Sequence, residues 1–363
     1  MPSAPLFRAV AFGDLAGWER DDHDAAFHAF RRSALHALKT PYRTGSLGVA
    51  AESFRDAFVE AAEGVAPGGG RAFFERRFRP FLIEPEGFVT GFYEPQVEAS
   101  PVRTARFAVP LLAPPDDLVK VDDGNRPAGL DPAFAFGRAG EGGIVEYFDR
   151  EAIEGGALVG RERPLAWLAD KVDAFFIHVQ GAARLVFPDG SLRRVTYAAK
   201  SGHAFTGPGR VLAGLGEIAP EKVTMQSIRA WLAANPGRVD EILHKNRSYI
   251  FFREAEVADP ALGPVAAAKV PLTAGRSLAV DRLLHTFATP FFIDAPTLDA
   301  FGAAPFCRLM IAQDTGSAIV GPARGDLFAG SGLAAGEIAG VVRHPARFFA
   351  LLPHGLAGTG CAR

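Results

Sequence analysis

The sequence predicts an α+β protein that is mainly β, with helices near the N-terminus and a small closed barrel toward the C-terminus. Apolar residues recur at helical spacing over residues 22–64. From residue 270 onward the apolar segments are short, β-like and separated by Gly and Pro. The chain carries 40 Gly and 27 Pro, which favours short strands and turns over a helical bundle. A length of 363 residues suggests two domains, and a hydrophobic share of 48% supplies a core for each.

The elements follow in order. Ala25, Phe27, Phe30, Ala34, Leu35 and Leu38 form one helical face, and Phe54, Phe58 and Val59 continue it. Gly64 and the run Pro67–Gly70 end this region, and a shorter helix is expected at 72–78. Phe88 to Glu94 is rich in β-formers and is closed by Pro95, so it reads as a strand. Residues 99–145 are loop-rich, yet apolar residues keep returning, as at the start of a second domain. Short helices are expected at 149–153 and 164–173, and a strand at 174–180. Residues 184–187 and 192–198 read as a hairpin around Pro188-Asp189-Gly190-Ser191. Residues 225–234 and 239–245 read as helices and 248–252 as a strand. The C-terminal strands are expected at 277–280, 290–293, 309–312, 318–320, 325–328 and 347–352.

Several function classes are disfavoured. With 39 basic and 41 acidic residues the chain has no basic surplus, so no nucleic-acid partner is expected. No apolar run reaches 18 residues, so no spanning helix is expected, and the N-terminal apolar stretch is too short for an export signal. The chain therefore reads either as cytosolic or as a mature form without its signal. Cys307 and Cys361 are too few for a disulfide framework or a four-ligand zinc site, although one bridge stays open. Gly207-Pro208-Gly209 lacks a strand–helix frame for a dinucleotide. His23 and His28, five apart, do not share a helical face and read as packed or solvated. Arg324-Gly325-Asp326 matches an adhesion tripeptide, but three letters carry no weight. No metal and no cofactor are expected.

The C-terminal aspartates carry a chemical signal. Asp281 ends one apolar strand, Asp314 ends another, and Asp326 follows Gly325 at the start of a third. A carboxyl flanked by apolar strand residues is desolvated, and neighbouring carboxylates raise its pKa further. A carboxyl kept protonated near neutral pH is what a general acid needs. Each aspartate alone reads as readily as a turn cap. Two further clusters suit a polar ligand such as a sugar. In the first, Thr90-Gly91-Phe92-Tyr93, the glycine would let a ligand approach the backbone and Tyr93 offers a ring and a hydroxyl. In the second, Gln180-Gly181 and Lys200-Ser201-Gly202-His203 place an amide and an amine beside glycines. An ordinary strand or turn explains each equally well.

Together these segments resemble the membrane-bound lytic murein transglycosylase A family. The matching runs are 90–95, 173–181, 225–232, 246–252, 270–282, 308–321 and 324–332. The last three resemble a "3D" domain, whose three aspartates fall on Asp281, Asp314 and Asp326. The resemblance implies a double-psi β-barrel with N-terminal helices over residues 1–102 and 256–363. It also implies a smaller β-rich domain inserted at 103–255, with a glycan groove between the two. It implies cleavage of the β-1,4 bond between N-acetylmuramic acid and N-acetylglucosamine in peptidoglycan, leaving 1,6-anhydro ends. Asp326 matches the single catalytic acid, and Asp314 and Asp281 are supporting carboxylates. Thr90, Gly91, Tyr93, Gln180, Gly181, Lys200, Gly202 and Gly316 are expected to contact substrate.

Ala182-Ala183, Ser201 and Phe92 depart from the usual family residues, which alters expected glycan contacts and leaves the acid in place. The implied partner is the glycan strand of a Gram-negative envelope, met in the periplasm by a monomer, with outer-membrane association only through an anchor this sequence lacks. A two-carboxylate hydrolase using Asp314 and a non-catalytic glycan-binding module are the competing readings.

Overall fold

The structure, a computed structural model, describes residues 6–256, 259–302 and 305–354. The chain divides into two compact units, Met1–Tyr93 with Asp259–Arg363, and Glu94–Ala258.

In the first unit six strands close into a ring. The order is Gly87–Glu94, Arg324–Ser331, Ser277–Val280, Phe306–Asp314, Pro290–Ala295 and Arg343–Pro353, which returns to Gly87–Glu94. Closure is made by Arg343 to Ala346 pairing antiparallel with Thr90 to Gly87. Ser277–Val280 runs parallel to Phe306–Asp314 and antiparallel to Arg324–Ser331. Phe78–Ile83 adds to the far half of Arg343–Pro353, and Phe7–Ala9 adds to Phe78–Ile83. A closed ring leaves few free edges for a second chain to pair with. The unit's core takes in Leu278, Val280, Phe291, Ile293, Leu309, Ile311, Leu327 and Phe348, all buried.

Helices His23–Ala37, Arg55–Glu63 and Gly70–Arg77 belong to the same core. Asp22 caps the first, its side chain accepting from the Ala25 N–H at 3.0 Å. Phe30 meets Phe73, Phe74 and Phe78 at ring-centroid distances of 5.6, 5.8 and 5.7 Å. Such tilted and edge-on contacts add specificity to apolar burial. Buried Gln313 ties this layer to the ring. Its Nε2 donates to the Ala29 carbonyl and to Ser33 Oγ, both at 2.8 Å, and its Oε1 accepts from Ser277 Oγ.

The second unit holds a six-stranded sheet. Its order is Ile250–Ala255, Leu192–Lys200, Ala182–Val186, Gln96–Ser100, Pro164–Leu168 and Val109–Leu112. A three-stranded sheet of Leu118–Lys120, Phe136–Gly140 and Gly143–Val145 accompanies it. Helices Lys171–Gln180, Met225–Ala234 and Val239–Leu243 share a separate apolar cluster around Phe175, Phe176, Leu232 and Ile242.

Four expected elements differ. The helical region expected over 22–64 is interrupted, residues 38–50 lying between the helix His23–Ala37 and the turn that leads into Arg55–Glu63. Residues 174–180 are helical, within Lys171–Gln180, and not a strand. A short apolar run does not separate the two states by periodicity. The flanks decide it: Asp170 accepts from the Val172 and Asp173 N–H groups, and Gly181 takes the left-handed conformation that ends the helix, with φ 76°. Residues 164–173, expected to be helical, begin as the strand Pro164–Leu168. Residues 318–320 form no strand, and the helix Leu333–Val341 was not expected, because its interior glycines disguise it.

Candidate functional site

Asp326 is the second residue after Arg324 on the strand Arg324–Ser331, so both side chains leave the same face. On the neighbouring strand, Gly87–Glu94, lies Thr90. Thr90 Oγ1 donates to Asp326 Oδ1 at 2.5 Å, and Arg324 Nη2 donates to Thr90 Oγ1 at 2.7 Å. The pairing is held in place by tight backbone packing. Phe88 N–H donates to the Ala323 carbonyl at 2.9 Å, and a Cβ at Gly87 would fall 2.0 Å from that oxygen. A Cβ at Gly325 would fall 2.8 Å from Leu278 Cδ1. At Gly87 only glycine fits, because the clash is with backbone, whereas at Gly325 the Leu278 side chain would have to move.

Asp314 ends the strand Phe306–Asp314 and accepts from the Ala267 N–H at 3.2 Å. Asp314 and Asp326 both keep part of their residue surface open, yet both carboxyls are packed about by protein atoms. Burial raises the Asp326 pKa above the usual carboxylate value, against the Thr90 hydrogen bond and the Arg324 charge, which hold it down. Burial likewise pushes Asp314 up to about 6. Backbone N–H groups of Thr315 and Ala267 oppose that rise, and the nearby Asp326 charge adds to it. The arrangement is a pair of interacting carboxyls with raised pKa values, one of them fixed by a hydroxyl.

Asp281 is 8% exposed and does different work. It accepts from the Leu283 N–H at 3.0 Å and the Gly321 N–H at 2.9 Å. It thereby anchors the segment between Asp314 and Asp326. His285 anchors the same segment, its Nε2 lying 2.8 Å from the Pro322 carbonyl. Gly316 lies exposed on that segment, and Thr315 Oγ1 donates to the Val280 carbonyl at 2.8 Å.

The other expected contact residues have these places. The face of Gly91 is occupied by the helix Leu333–Val341: a Cβ there would sit 2.8 Å from Ala339 Cα and 2.9 Å from its carbonyl oxygen. What approaches this backbone in the structure is a helix. Tyr93 is buried, and its ring lies against Gly336, where a Cβ would come within 2.8 Å of it. In the second unit Gly181 is the left-handed residue after the helix Lys171–Gln180, and Gln180 is the last residue of that helix. Gly202, with φ 95°, faces the Phe134 ring, which a Cβ would approach to 2.5 Å. Lys200 is half-buried at the end of Leu192–Lys200, where its backbone pairs with Ile250, and its side chain makes no hydrogen bond or ion pair among the described residues.

Glu94 begins the second unit and is completely buried. Arg194 reaches both of its oxygens, at 2.5 and 3.1 Å, and Arg184 Nε donates at 2.8 Å. A buried carboxylate is tolerated only with such partners.

Glu154, Asp240 and His244 present ligand atoms within 4.8 Å of one another. Lys171 already supplies a cation there, its Nζ lying 2.8 Å from Glu154 and also bonding Asp240. His23 is packed edge-on against Trp18 at 4.3 Å, and burial lowers its pKa. Cys307 is a free thiol that burial pushes up to about 11, while Cys361 lies outside the described residues.

Sequence reasoning passed over Arg324, Gln313, Arg184 and Arg194. Arg324 carried a usable signal, because residues i and i+2 of a strand share a face. The arginines around Glu94 lie 90 and 100 residues away, so no local pattern could have paired them.

Residues 88–253 match the family described as the MltA specific insert domain, and residues 276–352 match the 3D domain. A membrane-bound lytic murein transglycosylase from Agrobacterium tumefaciens superposes with a TM-score of 0.92 at 52% identity, over 97% of this chain and 98% of that one. The chain belongs to the membrane-bound lytic murein transglycosylase A family. Within that family, MltA from Escherichia coli with bound chitohexaose superposes with a TM-score of 0.65 at 26% identity, over 97% and 92% of the two chains. The curated membrane-bound lytic murein transglycosylase A of Escherichia coli K12 is 33% identical over 267 residues, covering 72% of this chain. That alignment spans 64% of the relative's length.

Proposed function

We propose that the protein is a peptidoglycan lytic transglycosylase that cleaves the bond between N-acetylmuramic acid and N-acetylglucosamine and leaves a 1,6-anhydro end. Family membership supports the substrate class, as does the glycan bound to the Escherichia coli relative. The observation that carries the reaction type is Asp326, a carboxyl with a raised pKa held at one oxygen by Thr90. On this reading the ring is a double-psi barrel that supplies the chemistry. The inserted unit, expected at 103–255, supplies glycan contacts through Gln180, Gly181, Lys200 and Gly202.

Protonated Asp326 gives its proton to the glycosidic oxygen as the C1–O bond breaks, and positive charge develops on the muramic sugar. The C6 hydroxyl of the same sugar closes on C1. Its proton passes to the Asp326 carboxylate, which restores the acid. Because the nucleophile is intramolecular and pre-positioned, no second carboxylate is needed to activate water. Burial keeps the Asp326 pKa high, and Asp314 stands beside it as a supporting carboxylate whose own pKa the Asp326 charge helps to raise. Asp281 holds the intervening segment.

The nearness of Asp314 also favours a second reading, a hydrolase in which Asp314 activates water. Mass spectrometry of soluble products from purified murein sacculi decides between them. Muropeptides about 18 Da lighter than hydrolytic ones, as intramolecular closure demands, support the transglycosylase. Reducing ends support the hydrolase. An Asp326→Asn protein should lose about 10²- to 10⁴-fold in rate; normal anhydro-product release from it would overturn the acid assignment. The proposed setting is a Gram-negative cell envelope, in keeping with membrane-bound relatives. Among the described residues no helix is long and apolar enough to cross a membrane.

A further inference from the structure

We infer that Arg324 is a positioning residue: acting through the Thr90 hydroxyl, it fixes which oxygen of Asp326 carries the catalytic proton. The inference rests on Asp326 being the acid. A guanidinium has only donors. Arg324 Nη2 lies 2.7 Å from Thr90 Oγ1, so Thr90 must accept there. The single hydroxyl proton of Thr90 is then directed along its other short contact, 2.5 Å to Asp326 Oδ1. Oδ1 is an acceptor in both protonation states of the carboxyl. When Asp326 is protonated, its proton sits on Oδ2.

The consequence is chemical. One oxygen must both give the proton to the leaving group and take one back from the C6 hydroxyl. A carboxyl free to rotate, or free to place its proton on either oxygen, spends part of its time with the proton turned away. Arg324 and Thr90 remove that freedom before substrate arrives, which is preorganisation of the acid. Arg324 is itself held: it donates to the Gly325 carbonyl and lies 5.9 Å from the centroid of the Phe88 ring. It thus moves with the strand that bears Asp326. Both groups also favour the ionised carboxyl, so they limit how weak an acid burial makes Asp326. A threonine without that donor could rotate its proton away from Asp326. The arginine removes that choice.

The test uses the full-length protein and soluble glycan strands released from sacculi, with anhydro-product formation followed across pH. Four variants are compared with the parent: Arg324→Met, Arg324→Lys, Thr90→Val and Thr90→Ser. Arg324→Met and Thr90→Val should each lower kcat about tenfold or more with little change in KM, as expected for loss of acid alignment. The limb at which activity falls with rising pH should move upward in both, because the protonated form is required and a carboxylate-stabilising group is gone. Arg324→Lys keeps the charge and should return that limb toward the parent. Thr90→Ser keeps the hydroxyl and should recover most of the lost kcat. The double variant Arg324→Met with Thr90→Val should fall no further in kcat than Thr90→Val alone, since Arg324 acts through that hydroxyl.

A merely structural arginine would give additive losses and an unmoved pH profile. That outcome overturns the inference, as does parental kcat in Arg324→Met. Asp326→Asn run alongside separates the two failures. If it is inactive while Arg324→Met and Thr90→Val behave as the parent, the relay fails and the acid stands. If Asp326→Asn stays active, the acid assignment falls and the relay with it.

Discussion

Asp281 Oδ2 accepts the Gly321 N–H at 2.9 Å, tying the turn after Ser277–Val280 to the far end of the segment that separates Asp314 from Asp326. The same carboxylate accepts from Leu283 N–H, so one side chain fixes two loops. We propose that this bonding supports the placement of the other two aspartates. Asp281→Ala leaves two backbone donors without their acceptor, which costs about 1–3 kcal/mol. Urea denaturation should register that loss. Activity should fall less than in Asp326→Asn, and adding a stabilising osmolyte should recover part of it. An Asp281→Ala protein of parental stability with no activity would instead place Asp281 in the chemistry.

Asp314 gives a pH prediction whose sign can be worked out. Its pKa rises from an ordinary 3.8 to about 6 on folding. Between those values the folded state binds more protons than the unfolded one, so stability falls as pH rises through that window. Above pH 6 the cost of the buried charge is constant. Asp314→Asn removes the charge and keeps an oxygen for the Ala267 N–H. Its melting temperature should exceed the parent's at pH 7.5 and match it near pH 4, as calorimetry would measure. In activity the sign is opposite. Loss of a neighbouring negative charge makes Asp326 a stronger acid, so the activity limb on the alkaline side moves to lower pH.

How legible this was depended on the range of the forces involved. The helix Met225–Ala234 and the strand Ser277–Val280 follow their sequence expectations because period and flanking signals agree locally. Residues 174–180 did not, since Phe175, Phe176 and Ile177 suit a buried strand as well as a helix, and only Asp170 and Gly181 settle it. Asp326 and Thr90 were each legible as candidates. Their 2.5 Å contact was not, because it joins residues 236 apart in sequence on neighbouring strands of the ring. At Gly91 the sequence suits a ligand's approach and an ordinary strand glycine equally, and it does not say what fills the space above a glycine, which in the fold is the helix Leu333–Val341.

Glu94 should prove a stability determinant of the second unit. It is fully buried and its oxygens are taken by Arg184 and Arg194, the latter 3% exposed. Glu94→Gln removes the buried negative charge that both guanidinium groups bond. Breaking a buried ion pair in this way costs about 3–5 kcal/mol. The midpoint of urea denaturation should drop accordingly, whereas Arg193→Gln, at an exposed pair with Glu254 at 3.5 Å, should shift it little. Equal effects from the two variants would refute the assignment.

Gly91→Ala tests the meaning of a glycine next to the proposed site. A methyl group there would meet Ala339 Cα at 2.8 Å and its carbonyl oxygen at 2.9 Å, both backbone atoms of the helix Leu333–Val341. Backbone cannot swing aside as a side-chain tip does, so the helix must shift as a body. Overpacking of this kind costs about 1–3 kcal/mol. The expected result is a lowered melting temperature and faster amide exchange in residues 333–341, with glycan affinity reduced only in step with the unfolded fraction. If Gly91 instead serves close approach of a glycan to the backbone, the variant should keep parental stability and lose affinity. Measuring melting and binding on the same sample separates helix packing from ligand contact.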